Sequence, residues 1–142
     1  MTDEQNEKIK WLRRAKKAND SARYWLSRLE HDREQARITS NSFSDSGICG
    51  NSSGNSKENI LINLAETERR TQKKCAEYVR ICDEIASAIE KIEDEDLQAV
   101  LTWHYLKFLT WEQTSHKMYC DVSTVKRKHR KALKKLTLND PQ

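Results

Sequence analysis

Apolar residues recur along this chain at intervals of three and four, over long stretches and with few interruptions. From residue 5 to 39, Leu12, Ala15, Asn19, Ala22, Leu26, Leu29, Arg33 and Ala36 keep that spacing, and Trp11, Ala18 and Trp25 add a neighbouring stripe at intervals of seven. This is the period of a helix that buries one face. A cleaner repeat runs from 58 to 92, where Leu61, Leu64, Glu68, Thr71, Cys75, Tyr78, Cys82, Ile85, Ile89 and Ile92 alternate steps of three and four. Helices this amphipathic need a partner for the apolar face. The pattern therefore predicts a long two-helix antiparallel coiled-coil hairpin over residues 1–92, with pairing to another copy of the chain as a compatible alternative.

Between the two repeats, residues 40–57 read SNSFSDSGICGNSSGNSK. Ser, Asn and Gly favour turns and bury nothing, so this segment is expected to be a flexible connector. After residue 92 the pattern changes. EDED at 93–96 breaks the apolar stripe, Asp94 is placed to cap a new helix, and Leu97, Val100, Leu101, His104, Tyr105 and Phe108 form its apolar face. Thr110 and Gln113 match a capping box for a short helix from Trp111 to about Met118. A tight turn follows, and Asp121 is the expected cap of the last helix. The fold class is thus all-α, with a three-helix helix-turn-helix domain over 93–142.

Composition adds a sign to one of these helices. The chain has 142 residues and a net charge of +4. From Asp121 onward there are seven Lys or Arg against two Asp, a surplus of five that leaves the rest at −1. Such a terminal concentration is the footprint of an element that binds a polyanion. On this helix Val125, His129, Ala132, Leu133 and Leu136 share one side and are expected to pack inward, with His129 as a hydrogen-bonded core residue. Val122, Ser123, Lys126, Arg127 and Arg130 fall on the opposite and flanking sides. Ser123 and Lys126 are expected to reach base edges, and Thr124, Arg127, Lys128, Lys131 and Lys134 to meet phosphates. A further basic cluster (Lys8, Lys10, Arg13, Arg14, Lys16, Lys17) is expected to be a solvated face of the first helix.

Other chemistry finds little support. No glycine-rich phosphate loop or HExxH pattern occurs, and His31, His104, His116 and His129 are scattered. Cys49, Cys75, Cys82 and Cys120 form no CxxC pair and read as free thiols packed as small hydrophobes. No enzyme activity, cofactor or metal is expected. No apolar run approaches a membrane span, and the polar opening MTDEQNEK fits no secretion signal, so a cytoplasmic location with no membrane partner is expected.

The segment LTWHYLKFLTWEQTSHKMYCDVSTVKRKHRKALKKL resembles region 4 of bacterial sigma-70-type factors, and more closely the phage late transcription regulators of the ArpU/RinA type. The likeness rests on Leu101 to Tyr105, the Thr110-Trp111 entry, the STVKR helix start and the KALKKL ending, over about residues 95–137. It implies a DNA-binding transcription regulator of a phage or mobile element, acting in a bacterial host cell; the long helices are expected to make it a homodimer, to contact RNA polymerase, or both. Three positions depart from the family pattern: Thr114 and Ser115 replace Ile-Ala, Asp121 replaces Ser, and His129 replaces a frequent Leu. Two other functions fit the layout. One is a DNA-packaging protein similar to terminase small subunits; the other is a helical adaptor whose basic end only solubilises it.

Overall fold

The computed structural model describes residues 2–46 and 52–138, with side chains at 2–39 and 57–138. Among the described residues all regular structure is helical: α1 (Asp3–Leu12), α2 (Arg14–Ser46), α3 (Ser52–Glu90), α4 (Glu95–Leu101), a π-helical turn (Thr102–Leu106), α5 (Trp111–Met118) and α6 (Val122–Lys135). None of these helices is long and apolar enough to cross a membrane.

The helix ends follow local chemistry. The Thr2 hydroxyl accepts from Gln5 N–H at 3.3 Å, and Asp3 and Glu4 sit in the first turn of α1, where acidic side chains suit the positive end of the dipole. Arg13 alone separates α1 from α2; it keeps a helical backbone, with Arg13 N–H on Ile9 O at 2.9 Å and Lys17 N–H on Arg13 O at 3.2 Å, so the long helix expected from residue 5 continues through a local irregularity there. Asp94 caps α4 by accepting from Asp96 N–H at 2.9 Å. At α5 the Thr110–Gln113 capping box forms in both directions, at 3.2 and 3.0 Å.

Residues 40–46 and 52–57 are helical rather than a connector. Ser and Asn disfavour a helix interior by only about 0.5 kcal/mol each, and extending an existing helix needs no new nucleus. The glycines Gly47 and Gly50, like Cys49, lie outside the described residues.

The chain divides into two compact units, Met1–Ala18 with Tyr78–Gln142, and Asn19–Glu77. A boundary at residue 93 was expected, but in the first unit the helix-turn-helix segment shares one core with the chain's beginning. Leu12 and Ala15 from the start, Ile85, Ile89 and Ile92 from the end of α3 and beyond, Leu97, Leu101 and Tyr105, and Ala132, Leu133 and Leu136 are all buried together. Six of them are wholly enclosed, and each of the four large ones (Leu12, Ile85, Leu101, Leu133) contributes about 1.5–3 kcal/mol of burial. Three short helices alone offer too few apolar residues for a closed core, which is why α1 and α3 are recruited.

In the second unit α2 and α3 run antiparallel. Trp25 O accepts from the Thr71 hydroxyl at 3.1 Å, and Asp32 accepts from the Thr67 hydroxyl at 2.7 Å. Arg33 and Glu68 are 3.4 Å apart. The seam is lined by Ala22, Leu29, Thr67 and Thr71. Leu26 and Leu61, expected inside, are 46% and 52% exposed. Thr67 is tolerated inward because its one hydroxyl proton has two acceptors within reach, Asp32 at 2.7 Å and Asn63 O at 2.8 Å.

Candidate nucleic-acid interface

α6 carries the basic segment and has two distinct sides. Val125, His129, Ala132 and Leu133 are buried, as is Leu136 just beyond its end. At 100° per residue the direction opposite these side chains is occupied by Ser123, Arg127, Lys131 and Lys134, and all four are exposed. Lys126 and Arg130 are also exposed and lie together on one flank. α4, α5 and α1 each contact α6, and α5 joins it through the three residues Tyr119–Asp121.

Two buried polar contacts fix α6 in place. His129 is 3% exposed, and its Nε2 lies 2.7 Å from the Tyr105 hydroxyl. Burial pushes His129 down to about 4, with His104, Arg130 and Arg13 adding to the same direction, and pushes the Tyr105 hydroxyl up to about 12. Both groups are therefore neutral near pH 7 and share one hydrogen bond. Trp111 stacks on His104 at 3.7 Å and meets His129 edge-on at 4.8 Å. His104 Nδ1 is held by Leu109 O at 2.8 Å, and desolvation lowers its pKa. The expectation of a packed, hydrogen-bonded His129 agrees with this geometry.

The second contact comes from the far end of the sequence. Lys8 is buried, and its Nζ donates to Leu133 O at 2.8 Å while Glu4 lies 3.3 Å away. Leu133 is in the last turn of α6, where carbonyls lack an intrahelical donor and a cation complements the dipole. Lys8 thus caps the C-terminus of the basic helix, which corrects its place in a solvated cluster. Arg14 also departs from that cluster: it is half-buried, donates to Trp11 O at 3.1 Å and pairs with Glu84 at 3.2 Å. Lys10, Arg13, Lys16 and Lys17 are exposed. The cysteines Cys75, Cys82 and Cys120 are free and only half-buried.

Most of the nominated residues share one surface. Ser123, Lys126, Arg127, Arg130, Lys131 and Lys134 are exposed, while Val122, Thr124 and Lys128 are half-buried. Lys128 differs from the other cations because Asp96 of α4 holds it at 3.3 Å. Arg127 donates to the Thr124 hydroxyl at 3.3 Å. Lys126 and Arg130 line an open depression of about 410 Å³ together with Gln5, Trp111 and His129.

The turn before α6 accounts for the departures noted in the sequence. Thr114 is buried, but its hydroxyl donates to Thr110 O at 2.8 Å, and Ser115 donates to Glu112 O at 2.6 Å. Each hydroxyl is satisfied within its own helix and leaves the helix surface slim enough to pack. Asp121 does occupy the N-cap position of α6, but its side chain makes no cap bond, which corrects the expected cap. Its backbone carbonyl accepts from Val125 N–H at 3.0 Å instead. Tyr119 ends α5 at φ 55° and ψ 43°, a left-handed conformation that costs a non-glycine residue about 1–2 kcal/mol.

The chain belongs to the DUF1492 family. The family is described as proteins of unknown function, and its pattern matches residues 37–137. The matched span contains the end of α2 and the whole of α3, α4, α5 and α6. The DUF1492 span leaves α1 outside it, so the Lys8 cap on α6 is supplied from beyond the matched residues. No curated protein and no solved structure matches the chain.

Proposed function

We propose that this DUF1492 protein is a sequence-specific DNA-binding transcription regulator of a phage or mobile element, and that α6 reads promoter DNA in the major groove. The observation that supports this best is the two-sided build of α6. Its apolar side is locked into a closed core, and its exposed side displays Ser123, Lys126, Arg127, Arg130, Lys131 and Lys134 at fixed positions. A charged tail used for solubility has no need of that anchorage. The layout of α5, a three-residue turn and α6 matches the way a second helix is presented to a groove. The class of regulator rests on the resemblance to ArpU/RinA-type proteins.

In this reading Ser123 and Lys126 meet base edges, and Thr124, Arg127, Lys131 and Lys134 meet phosphates, with Lys128 drawn partly away by Asp96. Binding should weaken steeply with salt, because roughly five to seven phosphate contacts release as many counterions. The long helices supply dimerisation or a contact with RNA polymerase. Leu26, Ile38, Leu61 and Ile62 stand exposed on the second unit, as an association surface requires.

The test is selection of bound duplexes from a random pool, followed by substitution. Arg127→Ala and Lys131→Ala should weaken binding to every sequence, whereas Ser123→Ala and Lys126→Ala should change which sequence is preferred. Equal behaviour of all four would sink the base-reading assignment. Recovery of no preferred sequence, with binding lost near physiological salt, would favour the adaptor reading. The same exposed apolar residues also suit a DNA-packaging protein, and light scattering separates the two. A monomer or dimer supports a regulator; a closed ring of about eight or more subunits supports packaging.

A further inference from the structure

We infer that Tyr119, in the turn between α5 and α6, is a DNA-contacting residue that extends the interface beyond α6. The inference rests on the DNA-binding reading above. Tyr119 is 96% exposed, the most exposed of the large hydrophobic side chains described. Its ring and hydroxyl make no hydrogen bond or ring contact among the described residues. Its backbone does hold the turn: Tyr119 N–H reaches His116 O at 3.4 Å, and the next amide reaches Ser115 O at 3.2 Å.

The position demands a positive φ, which glycine adopts freely and asparagine tolerates well. A bulky aromatic is the poorer choice for the fold on two grounds, backbone strain and loss of burial. Phe108 also has a positive φ, of 59°, but its ring packs against the core; at Tyr119 no such packing compensates, and uncompensated strain of this kind clusters at functional sites. The location says what that function is. Tyr119 stands four residues before Ser123 and three before Val122, the first residue of α6, close to the end of a recognition helix that lies nearest the bases. An aromatic there can cover a sugar or a base edge with its ring and donate its hydroxyl to a phosphate oxygen. Asp121, exposed and free of any cap bond, stands between Tyr119 and Ser123. Its charge disfavours phosphate at that point, so the neutral Tyr119 is the side chain of the turn suited to the backbone wall.

The experiment pairs stability with binding in the full-length chain. Tyr119→Gly and Tyr119→Asn are compared with the unsubstituted protein by thermal melting and by fluorescence anisotropy on a duplex from the random-pool selection. Both variants should melt about 3–5 °C higher, because strain is relieved. Both should nevertheless bind the duplex roughly fivefold more weakly, the effect of one lost contact. More stable variants that bind as tightly as the unsubstituted chain would overturn the inference. So would a change in oligomeric mass with affinity unchanged, which would make Tyr119 a contact between copies. Failure of the unsubstituted chain to bind any duplex would overturn the DNA-binding reading itself, and the Tyr119 contact with it.

Discussion

Replacing Lys8 by Met tests whether the beginning of the chain holds the basic helix in place. Methionine keeps an unbranched stem of similar length, so the packing around Ile9 and Leu12 changes little. What disappears is the ammonium that donates to Leu133 O at 2.8 Å. A hydrogen bond from a charged donor contributes about 1.5–3 kcal/mol. A cation at a partly buried helix C-terminus adds up to about 2 kcal/mol. Against these stands the desolvation of the ammonium, which costs several kcal/mol and is relieved in part by Glu4 at 3.3 Å. The substitution also leaves Leu133 O buried without its donor, at about 1–3 kcal/mol. The net loss expected for Lys8→Met is about 2 kcal/mol.

Urea unfolding at pH 7 measures this loss as a lower midpoint at unchanged slope. Glu4→Gln is the internal comparison. The Glu4 side chain is largely exposed, so its removal should cost under about 0.5 kcal/mol. Amide exchange adds position, because the amides of the last turn of α6 should lose protection in Lys8→Met before those at its start. A Lys8→Met protein within about 0.5 kcal/mol of the unsubstituted chain, or no worse than Glu4→Gln, would refute the capping argument.

His129 makes stability depend on pH. Its pKa is about 4 in the fold against about 6.5 unfolded. The unfolded chain therefore binds the extra proton first, and stability falls as pH drops from 6.5 toward 4. Between pH 7 and 5 the loss should be about 2 kcal/mol, and His129→Leu should remove that part of the slope in urea titrations at several pH values. Two caps on neighbouring helices should behave differently under the same assay. Thr110→Ala should cost about 1 kcal/mol because a formed capping box is broken, whereas Asp121→Ala should cost clearly less, since no cap bond is lost. Ile85→Ala opens a cavity in the core that α3 shares with α4 and α6, and should cost about 2–5 kcal/mol. Because that core carries α6, Ile85→Ala should also weaken the DNA binding proposed for α6, at temperatures where the unsubstituted chain is still folded.

Patterns that are local in sequence were legible in advance. The helical class, the Thr110–Gln113 box, the Asp94 cap and the inward face of α6 all follow from residues within a turn or two of each other. What escaped depends on distant parts of the chain. Lys8 and Leu133 are 125 positions apart, and no spacing rule connects them. One signal did exist: Lys8 lies on the same stripe as Leu12 and Ala15, one of the few cations to do so. A lysine on an apolar stripe either has a buried partner or interrupts the core. The Thr67–Asp32 bond escaped for a similar reason. Period alone placed Leu61 inside, but the rotation of a helix about its axis is decided by whichever polar groups its neighbour can satisfy. Asp121 failed in another way, because residue type predicted its position correctly and its hydrogen bond wrongly.

The charge on α6 ties these observations together. Lys126 and Arg130, Arg127 and Lys131, Arg130 and Lys134, and Lys131 and Lys135 are like-charged pairs four residues apart. Each such pair costs a helix about 0.2–0.5 kcal/mol, so the set costs on the order of 1–2 kcal/mol. Within the fold, Asp96 answers one further cation, Lys128, and Lys8 brings yet another positive charge to the helix end. The helix survives because its other side is fully enclosed, with Val125, Ala132 and Leu133 wholly buried and His129 hydrogen-bonded. The fold thus retains a repulsion that it makes little attempt to cancel. A polyanion laid along Ser123, Arg127, Lys131 and Lys134 would relieve that repulsion without any rearrangement of the helix. Relief of this kind favours a binder that is already rigid, because the contact energy is not consumed in ordering the side that binds. The closed core beneath α6, the cap from Lys8 and the unbalanced cations above it are therefore parts of one arrangement, in which stability is concentrated on one face so that the other can remain charged.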